Sequence, residues 1–171
     1  MDLTKEILGY DSLVDNIGHL LAEGRRKAIQ SVNSILVQTY WEIGRYIVEF
    51  EQKGNERAEY GTQLFERLSR DLNLRYGKGF GRSNLFQIRN FYLQFQKVQT
   101  LSGKLTWSHY TEILKSDTDL EISFYTKQCA KERWSVRELK RQMKSMLFHR
   151  LALITNFIYP KKKNYSINLS I

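Results

Sequence analysis

Apolar residues recur at steps of three and four along most of this chain, the spacing of α-helices that bury one side. The run over residues 29–50 predicts one long helix buried along a single stripe, made by Ile29, Val32, Leu36, Tyr40, Ile43, Ile47 and Phe50. Gly44 lies inside this run, where close packing against another helix is the usual reason for a glycine. A separate, earlier helix is predicted to start at Asp11 or Ser12, both of which can cap a helix.

The helical pattern continues after residue 55. A helix over about 58–75 is followed by Gly77 and Gly79, which predict a turn because glycine adopts a positive φ at no steric cost. Ser83 or Asn84 is predicted to cap the next helix, which extends to about residue 95. Further helices are predicted over 107–114, 119–131 and 136–150, and residues 98–106 are predicted to form a loop or short strands. The fold class is therefore all-α, a multi-helix bundle.

The last 21 residues differ from the rest. Residues 151–171 contain the only proline and a lysine triplet, and they show no helical period beyond their first turn. We therefore predict a helical domain over 1–150 and an irregular or truncated basic and apolar tail over 151–171. A flexible tail, a short pair of strands and an abnormal end to a longer gene all fit this composition.

Positive charge is concentrated in two places. The formal net charge is +9, of which residues 56–95 contribute +3 and residues 127–150 contribute +6. A polyanion is the natural partner of such patches. The alternative is a solvated basic face without a specific partner.

The sequence favours a cytoplasmic protein. The sequence contains no run of about 18 apolar residues, the length that a membrane-spanning helix needs. Its acidic N-terminus does not resemble a secretory signal. The single cysteine, Cys129, rules out an internal disulfide framework and fits a reducing compartment.

The segment over residues 58–95 has the layout of a helix-turn-helix, whose second helix can lie in the major groove of DNA. Asparagine and glutamine can pair with adenine, arginine can pair with guanine, and lysine and arginine neutralise phosphates. The candidate DNA contacts in this segment are Lys78, Arg82, Ser83, Asn84, Gln87 and Arg89. A second basic surface is predicted at Arg137, Lys140, Arg141 and Lys144. The same polar pattern also occurs on ordinary surface helices.

Catalytic groups are not recognisable. The three histidines lie in three separate segments without a second ligand at metal spacing. Glu132 and Glu138 lie in helical sequence, without the strand that would set metal-binding carboxylates. A phosphate-binding loop and a dinucleotide-binding motif are also missing. We therefore expect no catalytic residue, no metal and no cofactor.

Several blocks resemble one known family. The stretches VNSILVQTYWEIGRYIVEFEQ, ERAEYGTQLFERLSRDLNLRYGKGFGRSNLFQIRNFYLQF, LTWSHYTEIL and FYTKQCAKERWSVRELKRQMKSMLFHR resemble, in order, the N-terminal domain of the YhcG-type family of prokaryotic proteins. The resemblance covers about residues 12–150. It implies a helical, winged-helix-like, DNA-binding domain that is usually joined to a C-terminal nuclease domain of the PD-(D/E)XK class. It also implies a link to DNA restriction, repair or defence against mobile elements.

Two functions follow as expectations. The first is a non-catalytic DNA-binding module, because residues 151–171 hold no motif of the nuclease class and are too few for such a domain. The second is a protein-interaction module, in which the helix over 29–50 forms a homodimer or docks a separately encoded nuclease. A nuclease in its own right is disfavoured, and no membrane partner is expected.

Overall fold

The protein is all-helical in the parts that its computed structural model describes, which are residues 3–53, 60–96 and 101–158. These ranges hold seven helices and no strand. The helices are α1 (Leu3–Lys53), α2 (Tyr60–Tyr76), α3 (Arg82–Gln94), α4 (Trp107–Ile113), α5 (Asp119–Glu132), α6 (Val136–Lys144) and α7 (Leu147–Ile158). The predicted all-α class is confirmed.

The first helix is continuous and much longer than the sequence predicts. It runs over 51 residues, so the prediction of a separate helix capped by Asp11 or Ser12 is wrong. Both residues lie inside α1, in its third turn, with exposed side chains. Capping residues lower helix propensity only slightly at such positions, and neither a proline nor a turn interrupts the chain there.

The buried stripe of α1 also differs from the predicted one. Ile29 and Val32 are each 64% exposed, and Phe50 is 56% exposed. Of the predicted stripe, only Ile47 is buried, and Tyr40 and Ile43 are half-buried. The other apolar residues that α1 buries are Val37, Trp41 and Val48. The predicted stripe follows a helical period correctly but is rotated around the helix axis, because α1 carries apolar residues on more than one side.

A close helix crossing at Gly44 organises the N-terminal half. A Cβ atom at this position would lie 2.5 Å from the backbone oxygen of Ile88 and 2.7 Å from Cβ of Tyr92, both in α3. The backbones of α1 and α3 can approach this closely only because glycine has no side chain. The predicted packing role of Gly44 is confirmed.

Two apolar clusters lie on either side of this crossing. The smaller is built around Phe65 of α2 and Leu85 and Ile88 of α3. The larger is built around Phe91, whose ring centroid lies 4.8 Å from that of Tyr110 and 5.3 Å from that of Trp107. Its remaining buried members are Val37, Trp41, Phe95, Leu105, Ile113, Ile122, Tyr125, Cys129 and Leu139. Because α3 supplies buried residues to both clusters, it is the central helix of the fold.

The C-terminal half corrects two further predictions. Residues 101–106 form a turn without a strand, whereas positions 98–100 lie outside the described residues. The predicted helix over 136–150 is in fact two helices, α6 and α7, because Met146 has a left-handed backbone (φ 53°). Helix α7 continues to Ile158, beyond the predicted end of the helical domain at residue 150. The rest of the predicted tail, 159–171, is not described.

A second apolar face of α1 has no partner among the residues that the structure describes. Every side chain described from residue 10 to residue 32 is exposed. Six of the apolar ones recur at steps of three and four, or side by side: Tyr10, Leu13, Val14, Ile17, Leu20 and Leu21, and Val32 and Ile35 continue the same side further along the helix. They lie on the side of α1 opposite Val37, Gly44 and Val48, as the 100° turn per residue of an α-helix requires. An isolated helix is only marginally stable in water, so such a face is expected to be covered.

The Gly44 crossing leads to a stability prediction. Gly44→Ala should lower the free energy of unfolding by about 1–3 kcal/mol, because the added methyl group meets backbone atoms of α3 that cannot move aside. Gly18→Ala is the matched control. Gly18 lies in the same helix, and a Cβ atom added there would meet no atom within 4 Å apart from the nearby backbone of its own helix. This variant should be neutral or stabilise by up to about 1 kcal/mol. Urea unfolding followed by circular dichroism measures both; equal effects would contradict the close crossing.

Candidate nucleic-acid interface

The turn between α2 and α3 is held by side-chain hydrogen bonds. Gly77 and Gly79 have φ of 86° and 134°, so the predicted need for glycine is confirmed. Oδ1 of Asn73 accepts a hydrogen bond from the N–H of Phe80 at 3.1 Å. Its Nδ2 donates to the carbonyl of Ser69 at 2.7 Å. The last turn of α2 therefore fixes the path of the chain into α3.

Asn84 joins this turn to α4. The predicted caps Ser83 and Asn84 are wrong, because the N-cap is Gly81 and no side chain caps α3. Nδ2 of Asn84 donates to the carbonyl of Gly79 at 2.8 Å. Its Oδ1 accepts from Nε1 of Trp107 at 3.1 Å. Both ends of the amide are thus engaged within the protein, and pairing with adenine would have to break these bonds.

The two arginines of α3 are paired with carboxylates. Nε of Arg89 donates to the carboxylate of Glu51, and the two side chains are 29% and 21% exposed. This pair links α3 to the end of α1. Arg82 lies 3.3 Å from Glu66 of α2, with both side chains 58% exposed. A pair this exposed contributes little to stability, so Arg82 can exchange its partner more easily than Arg89.

Three of the predicted contacts remain unengaged. The side chains of Lys78 and Ser83 are exposed, and that of Gln87 is half-buried. None forms a side-chain hydrogen bond or ion pair with another described residue. Of the six candidates around α3, these three can bind a ligand without breaking a hydrogen bond or ion pair within the protein. Arg82 would have to give up only its exposed ion pair with Glu66.

Helix α6 presents the second predicted basic surface as one stripe. Arg137, Lys140, Arg141 and Lys144 are all exposed, and their spacing of i, i+3, i+4 and i+7 places them on one side. Leu139, on the other side, is fully buried. Arg141 pairs with Glu138 at 2.8 Å and Lys140 with Glu112 at 3.6 Å. The sequence prediction that these four residues share a surface is confirmed.

The start of α6 is fixed by its cap. Oγ of Ser135 accepts a hydrogen bond from the N–H of Glu138 at 3.2 Å. The Glu138 carboxylate accepts from Arg141 and Gln142, and these hydrogen bonds lower the pKa of Glu138. The carboxylate is therefore ionised at neutral pH and reduces the local positive charge by one. Arg137 and Lys144 take part in no ion pair between described residues.

A buried histidine fixes α6 against α4. Nδ1 of His109 accepts from the N–H of Thr106 at 3.1 Å and lies 2.7 Å from the Thr106 hydroxyl. Nε2 lies 3.0 Å from the carbonyl of Trp134 and donates to it. Burial lowers the pKa of His109, so the neutral ring that this pattern requires is the stable form. His109 thus has a structural position, joining the residue before α4 to the residues before α6.

The described acidic, histidine and cysteine side chains do not assemble into a metal site. Among residues 3–53, 60–96 and 101–158, no three His, Cys, Asp or Glu side chains lie close enough to hold a metal ion. Burial raises the pKa of Cys129 to about 11, so its thiol is not a ready nucleophile. None of the helices in these ranges combines the length and apolarity needed to cross a membrane.

The geometry separates structural from available residues on α3. Asn84→Ala should lower the free energy of unfolding by about 1–3 kcal/mol, because it leaves the Trp107 N–H and the Gly79 carbonyl without their partner. Gln87→Ala, at the half-buried position on the same helix, should change stability by less than about 0.5 kcal/mol. Urea unfolding measures both values. A neutral Asn84→Ala would show that its two hydrogen bonds do not hold the turn.

Comparison with known proteins agrees with the resemblance seen in the sequence. The chain is 41% identical over 177 aligned residues to the protein named Putative nuclease YhcG of Escherichia coli (strain K12). The alignment covers 85% of this chain and 47% of that relative, so the chain spans about half of its length. No solved structure matches the chain. Residues 16–150 match the model of the DUF1016 N-terminal domain, and the chain therefore belongs to the DUF1016 family.

Proposed function

We propose that this chain is a non-catalytic DNA-binding module, with the α6 stripe as its main contact and the α2–α3 turn as a second one. The observation that carries the proposal is the α6 stripe itself. Four cations occupy one side of a nine-residue helix whose other side is buried. Two of them, Arg137 and Lys144, have no acidic partner among the described residues.

The spacing of the stripe suits a phosphate backbone. Arg137 and Lys144 are seven residues apart, which corresponds to about 10 Å along a helix axis. Double-stranded DNA carries one negative charge per about 1.7 Å of its axis, so several phosphates fall within this span. Contacts of this kind position a protein on DNA without reading its sequence.

The α2–α3 turn offers a smaller contact. Lys78 and Arg82 can approach phosphates, and Ser83 and Gln87 can donate hydrogen bonds to phosphates or base edges. Asn84 and Arg89 belong to the same predicted set, but their internal partners make them supports of α3 in this proposal. In this proposal α2 and α3 act as a helix-turn-helix of the winged-helix type.

The family relationship supports a nucleic-acid partner. The relative from Escherichia coli is named a nuclease, and about half of its length lies outside the aligned region. We propose that the present domain supplies DNA recognition for such an activity, in DNA restriction, repair or defence against mobile elements in the cytoplasm. Its further partner would be a nuclease domain or subunit.

A charge reversal on α6 tests this function. Arg137→Glu with Lys144→Glu should weaken binding to a short DNA duplex by at least about tenfold per contact at low salt. The slope of log affinity against log salt should fall by about 0.9 for each phosphate contact removed. Fluorescence anisotropy between about 50 and 200 mM salt measures both quantities. Neither substitution breaks an ion pair between described residues.

The matched control is Arg67→Glu with Arg75→Glu. Both arginines are exposed on α2 and make no ion pair with a described residue, so the net charge changes equally. This control should bind nearly as well as the unmodified protein. If both double variants lose the same affinity, or neither loses any, the α6 stripe is not a DNA contact.

The exposed face of α1 favours a second candidate, a homodimerisation module. Contiguous exposed apolar surface on a helix usually marks a site of interaction. On α1 the exposed fractions are 49% for Ile17, 70% for Leu20 and 57% for Leu21. Steps of three and four along this face are those of a coiled-coil seam, which a second copy of α1 can cover. This role is compatible with DNA binding, because the seam and α6 are different surfaces.

Light scattering during size-exclusion chromatography tests the dimer. The unmodified protein should elute as a dimer, and Ile17→Asp with Leu20→Asp should elute as a monomer because a charge cannot be buried in the seam. The control is Leu74→Asp with Leu120→Asp, two residues that are 84% and 72% exposed on α2 and α5. It should stay dimeric. A monomer at all concentrations for the unmodified protein would exclude this role.

A further inference from the structure

A cationic cleft lies on the side of α1 opposite the apolar seam. It is bounded by α1, by the turn over residues 101–106 and by the junction between α5 and α6, and its volume is about 350 Å³. The polar and aromatic residues that line it are Arg26, Gln30, Asn33, Lys104, Thr106, Arg133 and Trp134. None of the described residues around the cleft is an aspartate or a glutamate. The cleft is separate from both surfaces that the sequence predicts.

Internal hydrogen bonds build the walls. Nε2 of Gln30 donates to the carbonyl of Gly103 at 3.5 Å and joins α1 to the turn. On the other side, His109 joins Thr106 to the carbonyl of Trp134. The three walls are therefore connected to one another.

The cations of the cleft are not neutralised by the protein. Arg26, Lys104 and Arg133 form no ion pair with a described residue, whereas Arg82, Arg89, Lys140 and Arg141 each have a carboxylate partner. The acids closest in sequence are engaged elsewhere: Glu23 lies 2.9 Å from Lys27, and Glu132 lies 3.8 Å from Lys131. Three cations that line one cleft, with no acid among its lining residues, favour an anionic ligand.

Arg133 occupies a position that usually belongs to glycine. It is the C-cap of α5 and has φ 53° and ψ 41°, a left-handed conformation that costs energy for residues with a side chain. A residue retained in a strained conformation is a reason to ask what its side chain does. Met146 has the same φ of 53°, so strain alone does not set Arg133 apart; its position in the cleft does.

We propose that this cleft binds a single strand of nucleic acid, with Arg26, Lys104 and Arg133 around a phosphate and Trp134 against an unpaired base. A cleft of about 350 Å³ is too small to admit a duplex but suits one nucleotide and its phosphate. Cationic grooves with an aromatic side chain are the usual means of binding single strands. Gln30 and Asn33 add hydrogen-bonding groups for sugar or base. This inference rests on the proposed nucleic-acid function and adds the class of strand and its site.

Arg133→Gly tests the site because it should lower the affinity for single-stranded DNA without lowering the stability of the fold. Affinity for a fluorescein-labelled oligo(dT) should fall about tenfold, the effect of losing one phosphate contact at low salt. The melting temperature should not fall, since glycine relieves the left-handed backbone. Met146→Gly is the matched control: it removes the same strain outside the cleft and should leave oligo(dT) affinity unchanged. Unchanged affinity in Arg133→Gly, or an equal loss in Met146→Gly, would overturn the proposal.

Two further measurements identify the ligand. Binding of oligo(dT) should quench tryptophan fluorescence in the unmodified protein and clearly less in Trp134→Phe, and equal quenching would exclude stacking on Trp134. Inorganic phosphate and dTMP should compete only at far higher concentration than unlabelled oligo(dT). Competition at equal concentration would make the cleft a small-anion site instead.

The duplex assay separates this inference from the function beneath it. If Arg133→Gly keeps oligo(dT) affinity while the α6 double variant loses duplex binding, the cleft proposal fails and the DNA-binding function stands. If the unmodified protein binds neither duplex nor oligo(dT), both fail. Loss of oligo(dT) binding alone in Arg133→Gly, with duplex binding retained, supports two distinct contacts.

Discussion

The absence of a side chain at Gly44 is the constraint on which the rest of the structure depends. It lets α1 and α3 cross with their backbones in contact, and this brings Ile88 to the crossing and Phe91 into the large aromatic cluster. Because α3 is held on that side by α1 and elsewhere by α2 and α4, only part of its circumference reaches solvent. A helix with this position is first a core element, and the ligand contacts proposed for it come from its first two turns and from the glycine turn before it.

The distribution of ion pairs separates the basic residues into two groups. Arg89 and Arg82 have partners on α1 and α2, so part of their charge is used within the fold. Arg137, Lys144 and the three cations of the cleft have none among the described residues. Formal charge alone treats both groups alike. Among the candidate contacts and the cleft residues, the cations with no carboxylate partner in the described part of the chain are Lys78 at the α2–α3 turn, Arg137 and Lys144 on α6, and Arg26, Lys104 and Arg133 in the cleft.

Local signals predicted much of the fold. Gly77 and Gly79 predicted the turn between α2 and α3, and Gly44 predicted a close helix crossing, because glycine has a distinct backbone chemistry that can be recognised in the sequence. The rotation of the buried stripe on α1 could not be predicted in this way, because α1 is apolar on two sides and only the position of α3 decides which side is buried. The break at Met146 was missed for a related reason: methionine is a good helix former, and tertiary packing overrides its preference.

The site was predicted less completely than the fold. Periodicity placed Arg137, Lys140, Arg141 and Lys144 on one side, and the structure agrees. It could not show that Asn84 holds Trp107, since the two residues are 23 positions apart. The cleft was missed because Arg26, Lys104 and Arg133 come from three distant segments. The one local signal in the sequence was Arg133, which lies between α5 and α6 at a helix end where glycine is the usual residue.

The length of α1 has a geometrical consequence. Its 51 residues correspond to a rod of about 75 Å, and among the described side chains Arg26 is the first that lines the cleft shared with the rest of the fold. About 35 Å of helix therefore lies before the point where α1 meets the rest of the fold. An α-helix keeps a nearly constant rise per residue, so such an arm acts as a spacer of fixed reach. Whatever joins its far end is held several nanometres from the α6 stripe, and the length of α1 then sets the separation of the two sites.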